Sequence, residues 1–301
     1  MSKFIITFIF LSLFIISPFN VTIAQNSSDT ISQDRESIRV MTFNIRYDNP
    51  DDGPDAWQYR KDFVASMFRF HKADIIGTQE GRLNQLQDLD SRLSEFSRVG
   101  LGREAGEDQG EYCAIYYRTD RFDLIETGTF WLSDTPNIAG SVGWDALLPR
   151  IVTWARFYDN RNDELFITFN THFDHIGVEA RYQSSMLILE KIAELSNEDP
   201  VILTGDLNTM ESQNPYKILA EADMGPVKFE LFDGFYHSKY DHHGPTSTSN
   251  GFKEIVPGRR IDYIFVDSKF SVIQHGILAD IRDGHFPSDH LPVIADVEFL
   301  D

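Results

Sequence analysis

Five strand-length apolar runs of this chain each meet a residue that can bind a cation or move a proton. MTFN ends at Asn44, IIGTQE at Glu80, FNTHFDH at His172, Asp174 and His175, and ILTGDLN at Asp206 and Asn208; SDH, with Asp289 and His290, opens the fifth. Side chains alternate along a strand, so Asp206 and Asn208 share one face while Leu207 takes the other. One polar strand end is ordinary, because Asp-x-Asn also begins a turn by bonding its own backbone. Five of them point to a shared site along one edge of the sheets. A further run, RRIDYIF, sets Asp262 between Ile261 and Tyr263.

Helical patterns separate some of these runs. They cover Trp57 to His71, Arg82 to Phe96 and, most clearly, Val178 to Leu195, where Met186, Ile188, Leu189, Ile192 and Leu195 make an apolar stripe. Strand follows strand in the middle and at the end of the chain, with helices interspersed early. That order predicts an α/β sandwich, two sheets packed face to face with helices outside, rather than the regular alternation of a barrel. No fixed-period repeat and no low-complexity linker divides it.

The first 24 residues carry one charge, Lys3, then the apolar run FIITFIFLSLFII and small residues before Gln25. This is the pattern of a secretory signal cleaved near Ala24. An uncleaved anchor is the alternative, since Phe4 to Ala24 approaches the roughly 20 apolar residues of a spanning helix; Pro18 and Asn20 favour cleavage. On this reading residues 25–36 are a polar tether and residues 37–301 one domain. The protein is expected to be exported, to the periplasm or the medium, as a monomer with no stable membrane anchor.

Cys113 is the sole cysteine and makes no intramolecular disulfide; its place within EYCAIYY marks it as core. The formal charge of −20 opposes tight nonspecific binding to long nucleic acids, which depends on neutralising phosphates with Lys and Arg. Phosphate chemistry in such a field calls for a divalent cation. Asn44, Glu80 and Asp289 offer hard oxygen donors, which suit Mg²⁺, Mn²⁺ or Ca²⁺. His172, His175 and His290 keep zinc open, although no HExxH or cysteine-rich spacing supports it. Histidines beside carboxylates supply proton transfer near neutral pH, and Asp262 is placed to hold His290 in one tautomer. The chain has no GxSxG elbow, no GxxxxGK[ST] loop and no GxGxxG after its first strand.

The motifs TFNIR, GTQE, NTHFDH, TGDLN, RIDYIF and SDHLPV, in this order between about Ile38 and Leu300, resemble the endonuclease/exonuclease/phosphatase superfamily of metal-dependent phosphoesterases. The resemblance implies a four-layered αββα sandwich of the deoxyribonuclease I type, with two mixed, mainly antiparallel sheets. It implies Glu80 as principal metal ligand, helped by Asn44 and by Asp289 directly or through water. Asp206 would align or deprotonate the attacking water or contact a second metal, and Asn208 would hold a phosphate oxygen. His290, oriented by Asp262, would act as base or stabilise charge, and His172 would meet the phosphate or protonate the leaving group. His175 and Arg150 are candidate substrate contacts, with a surface salt bridge as the alternative for Arg150. Glu111, by similarity to the deoxyribonuclease branch, would pair with His172, an exposed strand-start carboxylate being the alternative.

The abasic-site endonucleases carry an aspartate where this chain has Arg46, a tyrosine at His172 and an asparagine at His175, so a DNA-repair role is disfavoured. The remaining pattern is more similar to a secreted bacterial subgroup near the deadenylase and sphingomyelinase branches. The expected activity is an exported, Mg²⁺-dependent phosphoesterase, its substrate a small phosphoester or a phospholipid headgroup. An extracellular nuclease is the alternative. A noncatalytic binding protein on the same fold is the third reading; the presence of Glu80, Asp206 and His290 weighs against it. Trp131, Trp144, Trp154, Tyr236 and Phe252 are expected mostly in the core, and Tyr240 to Pro245 is expected as a solvated turn.

Overall fold

In this computed structural model the residues described are 1 and 35–301, other than 105–107, 222–223, 228 and 301. The expected signal and nearly all of the tether lie outside them. The elements run β1 (Ile38–Asn44), α1 (Trp57–Phe70), β2 (Ile75–Gln79), α2 (Leu83–Asp90), β3 (Phe96–Val99), β4 (Ile115–Arg118), β5 (Phe122–Trp131), β6 (Ile151–Asp159) and β7 (Glu164–His172). They continue with α3 (Val178–Leu195), β8 (Val201–Asp206), α4 (Asn214–Ala220), β9 (Leu231–Asp233), α5 (Gly234–His237), β10 (Asp262–Asp267), β11 (Phe270–Ile277) and β12 (Val293–Phe299). Among the described residues no helix is long and apolar enough to cross a membrane.

The strands form two six-stranded sheets, ordered β11-β12-β1-β2-β4-β3 and β5-β6-β7-β8-β10-β9. Each sheet has one parallel pair, β1 with β2 and β7 with β8, and antiparallel neighbours otherwise. Parallel neighbours end at the same edge, so the polar ends of β1 and β2 emerge together, as do those of β7 and β8. This is the mixed, mainly antiparallel pairing that the motifs implied.

Three apolar layers explain the sandwich. Val40, Ile75, Phe157, Phe166, Ile264 and Val297 fill the space between the sheets. Ile188, Leu189 and Ile192 of α3 cover the outer face of one sheet with Leu203 and Phe265 beneath them, and Val64, Met67 and Phe68 of α1 cover the other with Met41 and Ile76. Each such side chain taken from water contributes roughly 1.5–3 kcal/mol. Helix α3 begins where the sequence places it because Asp145, from a separate loop, accepts from the amides of Glu179 and Ala180 at 3.3 and 2.6 Å and so caps its open N-terminal donors. Cys113, Trp131 and Trp154 are core, as expected, while Tyr236 is exposed.

Near the edge where the motifs end, the layer between the sheets changes from apolar to polar. Gln79 Nε2 donates to Thr42 Oγ1 at 3.0 Å and to Asn170 Oδ1 at 2.6 Å. Asn170 Nδ2 donates across the sandwich to the carbonyls of Thr78 and Ala114, at 2.9 and 3.0 Å. Thr204 Oγ1 donates to Asn170 Oδ1 at 3.1 Å. All four side chains are fully or almost fully buried. Gly77 makes the crossing possible: a Cβ there would lie 2.2 Å from Thr204 Oγ1 and 2.5 Å from Asn170 Oδ1.

Burial of an unmet donor or acceptor costs about 1–3 kcal/mol, and Asn170→Ala strands several at once. We expect it to lower unfolding stability by about 3 kcal/mol or more in urea titrations; a loss below about 1 kcal/mol would show that the polar layer is not coupled.

A second histidine contact, between buried His275 of β11 and half-buried His242, lies elsewhere in the fold. His242 Nε2 is 2.8 Å from the carbonyl of Pro245, which can only accept, so the His242 proton is on Nε2. Its Nδ1 then accepts from His275 Nδ1 at 2.9 Å. Burial pushes the His275 imidazole down to about 3, with the neighbouring His242 adding to the effect. A histidine kept neutral when folded binds its proton only on unfolding, so stability falls as pH drops below the ordinary histidine value of about 6.5. Between pH 7 and 5 the wild type should lose more melting temperature than His275→Gln does; parallel losses would refute this linkage.

Candidate active site

The ends of β1, β2, β7, β8 and β10 and the turn before β12 bring the predicted groups to one edge. Four of these strands deliver the group two residues, or one, beyond a member of the polar layer: Thr42 precedes Asn44, Gln79 precedes Glu80, Asn170 precedes His172, and Thr204 precedes Asp206. Three non-glycine residues here adopt left-handed backbone, Arg46 (φ 55), Glu80 (φ 65) and Asn208 (φ 46). Such conformations cost about 1–3 kcal/mol each and persist where the surroundings impose them.

One half of the site is an oxygen-rich carboxylate pair. Glu80 Oε1 accepts from Asn44 Nδ2 at 3.0 Å and Oε2 from the Tyr47 amide at 3.1 Å. Asp289 Oδ1 accepts from Ser288 Oγ at 3.3 Å, and the same hydroxyl donates to the Asn44 carbonyl at 2.7 Å. Burial, with the nearby Glu80 charge adding to it, pushes the Asp289 carboxyl up against the pull of His290. Two carboxylates facing one space without a thiolate nearby fit a divalent, oxygen-preferring cation. Asn44 takes a different posture from the expected ligand: its carbonyl oxygen accepts from the Arg46 amide at 3.0 Å, and its amide nitrogen bridges Glu80 and Asp206. Asn44 thereby ties Glu80 to Asp206 through its amide nitrogen, and its oxygen keeps a second lone pair.

The other half places an imidazole between two carboxylates. His290 Nδ1 sits 2.9 Å from Asp262 Oδ2, and its Nε2 faces Asp206 Oδ2 at 3.8 Å. Burial opposes charge on His290, but Asp262 and Asp206 outweigh it and hold the imidazole well above its usual range. Burial and the Asp262 charge push the Asp206 carboxyl up to about 7. The ligand atoms of Asp206, Asp262 and His290 lie within 4.8 Å of one another, close enough to share an ion. The 2.9 Å His290–Asp262 contact already engages Nδ1, so this trio is read as a proton-handling group.

Asn208 and His172 complete the wall. Asn208 Nδ2 donates to the Phe173 carbonyl at 3.1 Å and meets His172 Nε2 at 2.9 Å. The carbonyl contact fixes the amide orientation, so His172 Nε2 is an acceptor and its proton lies on Nδ1. Burial and the charges of Arg150 and Arg103 hold the His172 imidazole well below its usual range.

Two expectations meet a different arrangement. Glu111 pairs bidentately with Arg103, at 2.7 and 3.1 Å, in place of the expected contact with His172. A guanidinium fork satisfies a buried carboxylate better than a neutral imidazole does. Arg150 is buried, not at the surface, with Nε 3.3 Å from Asp174 and Nη2 2.9 Å from His175 Nδ1. His175 itself is exposed beyond this pair.

Sequence reasoning passed over three groups at the site. Arg46, noted only as a departure, binds Asp52 through Nε at 3.1 Å and brings Nη1 to 3.8 Å from Asp289. Arg60 joins the two metal-side loops, donating to the carbonyls of Ile45, Arg46 and Pro287. Arg103 takes the partner expected of His172. Arg60 reaches Pro287 far along the chain, whereas the Arg46–Asp52 and Arg103–Glu111 pairs are local but marked by no motif.

This combination of strand-end carboxylates, paired histidines and a central αββα sandwich defines a metal-dependent phosphoesterase. A sequence profile of the endonuclease/exonuclease/phosphatase family matches residues 41–290, and the chain belongs to that family of phosphoesterase hydrolases. It is similar to an endonuclease/exonuclease/phosphatase of Bacteroides vulgatus, at 39% identity over 88% of this chain and 100% of that one, with a TM-score of 0.83. It is also similar to a mannosyl-6-phosphatase of Bacteroides thetaiotaomicron, at 38% identity over 87% and 100% of the two chains, with a TM-score of 0.80. The 3'-5'-exoribonuclease subunit Ccr4 of the Mycosarcoma maydis CCR4-Not complex is 21% identical over 87% of this chain and 50% of its own length. The chain spans about half the length of the first curated relatives it matches.

Asp262→Asn keeps the shape of the buried group and removes its charge. Turnover of a phosphoester should fall at least about a hundredfold, with the melting temperature little changed; full activity in a folded variant would remove the His290–Asp262 pair from catalysis.

Proposed function

We propose that the protein is an exported, Mg²⁺-dependent phosphoesterase acting on a small phosphoester, a phosphorylated sugar being the class the comparisons favour. The observation that carries the reading is the convergence of Asp206, His290, His172 and Asn208 opposite the Glu80–Asp289 carboxylates. Glu80 and Asp289 would hold a divalent ion, which would supply Lewis-acid polarisation of a phosphoryl oxygen; Mn²⁺ or Ca²⁺ are the alternatives to Mg²⁺.

The chain's own groups do the rest. Asp206 Oδ2, 3.5 Å from His172 Nε2 and 3.8 Å from His290 Nε2, is placed to orient a water and take its proton. The new O–P bond forms on that side as the bond to the ester oxygen opposite breaks. His290, fixed by Asp262, faces the growing negative charge on the phosphoryl oxygens. The Phe173 carbonyl anchors one proton of the Asn208 amide, and the other, which faces His172 Nε2, would turn to one of those oxygens when substrate binds. Nothing in this geometry makes His172 the proton donor to the leaving group, since its Nε2 is already an acceptor.

The 38% identity to a mannosyl-6-phosphatase over nearly the whole domain supports a sugar phosphomonoester. A phospholipid headgroup presents the same phosphoester chemistry to this site. An extracellular nuclease is the second reading, supported by the Ccr4 relatives. The formal charge of −20 weighs against it, because long nucleic acids bind through many neutralised phosphates.

Residues 25–301 with Mg²⁺ or Mn²⁺ should release phosphate from mannose 6-phosphate and p-nitrophenyl phosphate, and chelation should abolish the release. Faster turnover of RNA or sphingomyelin than of either monoester would overturn the sugar-phosphate reading.

A further inference from the structure

Beside the catalytic edge lies a cavity of about 690 Å³, bounded by the Pro50–Asp55 turn, the start of α1 and the 282–286 loop. Its inner wall includes Arg60, which is buried and whose guanidinium donates to Ile45, Arg46 and Pro287. Ile45 follows Asn44 directly, and Pro287 precedes Asp289 by two residues. The cavity therefore shares its inner wall with the backbone that presents the carboxylate half of the active site. His285 and Phe286 of its lining precede Asp289 by four and three residues.

The chemistry of the lining selects the occupant. Tyr59 offers a ring that is 67% exposed, an uncommon degree for so large an aromatic side chain beside a cavity. The side chains of Gln58, Tyr59 and Asp283 make no hydrogen bond or ion pair with the described residues. Asp55 and His285 meet at 2.7 Å, presenting a carboxylate with a free second oxygen to the same space. The charges nearly balance, with Asp55 and Asp283 against Arg60 and Arg282. A phosphodiester backbone needs an excess of cations, and an acyl chain needs an apolar tunnel. A sugar needs neither: its C–H face packs on an aromatic ring, and its hydroxyls donate to carboxylate oxygens and pair in either direction with an amide. The volume lies within the roughly 300–1,000 Å³ of small-molecule sites.

We propose that this cavity is a carbohydrate subsite, holding the sugar units next to the phosphorylated one, so that the preferred substrate is a phosphorylated oligosaccharide. This rests on the sugar-phosphate reading of the active site. Tyr59 and Asp283 are the specificity residues, and neither belongs to the catalytic machinery.

The test compares mannose 6-phosphate, an α-linked mannotriose carrying one 6-phosphate, and p-nitrophenyl phosphate on the wild type, Tyr59→Ala and Asp283→Ala. The wild type should show a KM about tenfold lower for the trisaccharide phosphate than for mannose 6-phosphate. Each variant should lose most of that advantage, with kcat and p-nitrophenyl phosphate turnover unchanged. Equal KM values for the two sugar phosphates in the wild type, or an advantage that both variants keep, would overturn the subsite while leaving the sugar-phosphate reading intact. Turnover of p-nitrophenyl phosphate with neither sugar phosphate accepted would overturn that reading instead. Saturation-transfer NMR with unphosphorylated mannotriose needs no turnover: a signal in the wild type that Tyr59→Ala abolishes supports the subsite, and no signal in the wild type counts against it.

Discussion

The buried amide of Asn170 is the contact on which the site depends. It leaves its own sheet, passes through the gap that Gly77 provides, and bonds the carbonyls of Thr78 and Ala114 in the other sheet. Apolar packing alone lets two sheets slide by fractions of an ångström at little cost, because dispersion is non-directional. A hydrogen-bonded polar layer has direction, and breaking its bonds inside a low-dielectric interior is costly, although Gln79 Oε1 has no partner among the described residues. The network made by Thr42, Gln79, Asn170 and Thr204 therefore fixes the relative height of four strands just beneath Asn44, Glu80, His172 and Asp206.

That arrangement explains how an acidic protein holds so many carboxylates at one edge. Glu80 and Asp289 share one half, Asp206 and Asp262 the other, and Asn44 donates to a carboxylate in each. His290 is positioned between Asp206 and Asp262, and Arg46 flanks Asp289. Like charges this close repel, so positive groups are needed at defined positions, and an imidazole, a guanidinium and a divalent ion each fit one of them. Left-handed backbone at Arg46, Glu80 and Asn208 is the conformational cost of bringing those groups together.

Much of this was legible in the sequence, and the reason is periodicity. Strands that end in chemistry-bearing residues read plainly because side chains alternate, and Val178–Leu195 read plainly because its apolar stripe repeats at helical spacing. The short pieces were not legible: β3, β9, α4 and α5 have too few residues for any period to show. At the site, residue types were readable and their partners were not. Glu111 beside Arg103, Arg60 beneath two loops, and Arg150 against Asp174 and His175 are tertiary pairings across 8 to 227 positions of chain. The polar layer stands as Thr, Gln or Asn one or two places before Asn44, Glu80, His172 and Asp206, but a threonine in a strand is ordinary.

On the proposed mechanism Glu80 and Asp289 hold a divalent cation on which phosphoester hydrolysis depends. Calorimetric titration of Mg²⁺ or Mn²⁺ into the wild type and Glu80→Gln, with mannose 6-phosphate turnover measured on the same samples, tests it most directly. The account predicts saturable binding in the wild type, binding weakened at least about tenfold in the variant, and turnover that follows occupancy. Equal binding by both proteins, or turnover that persists in chelator, would contradict it.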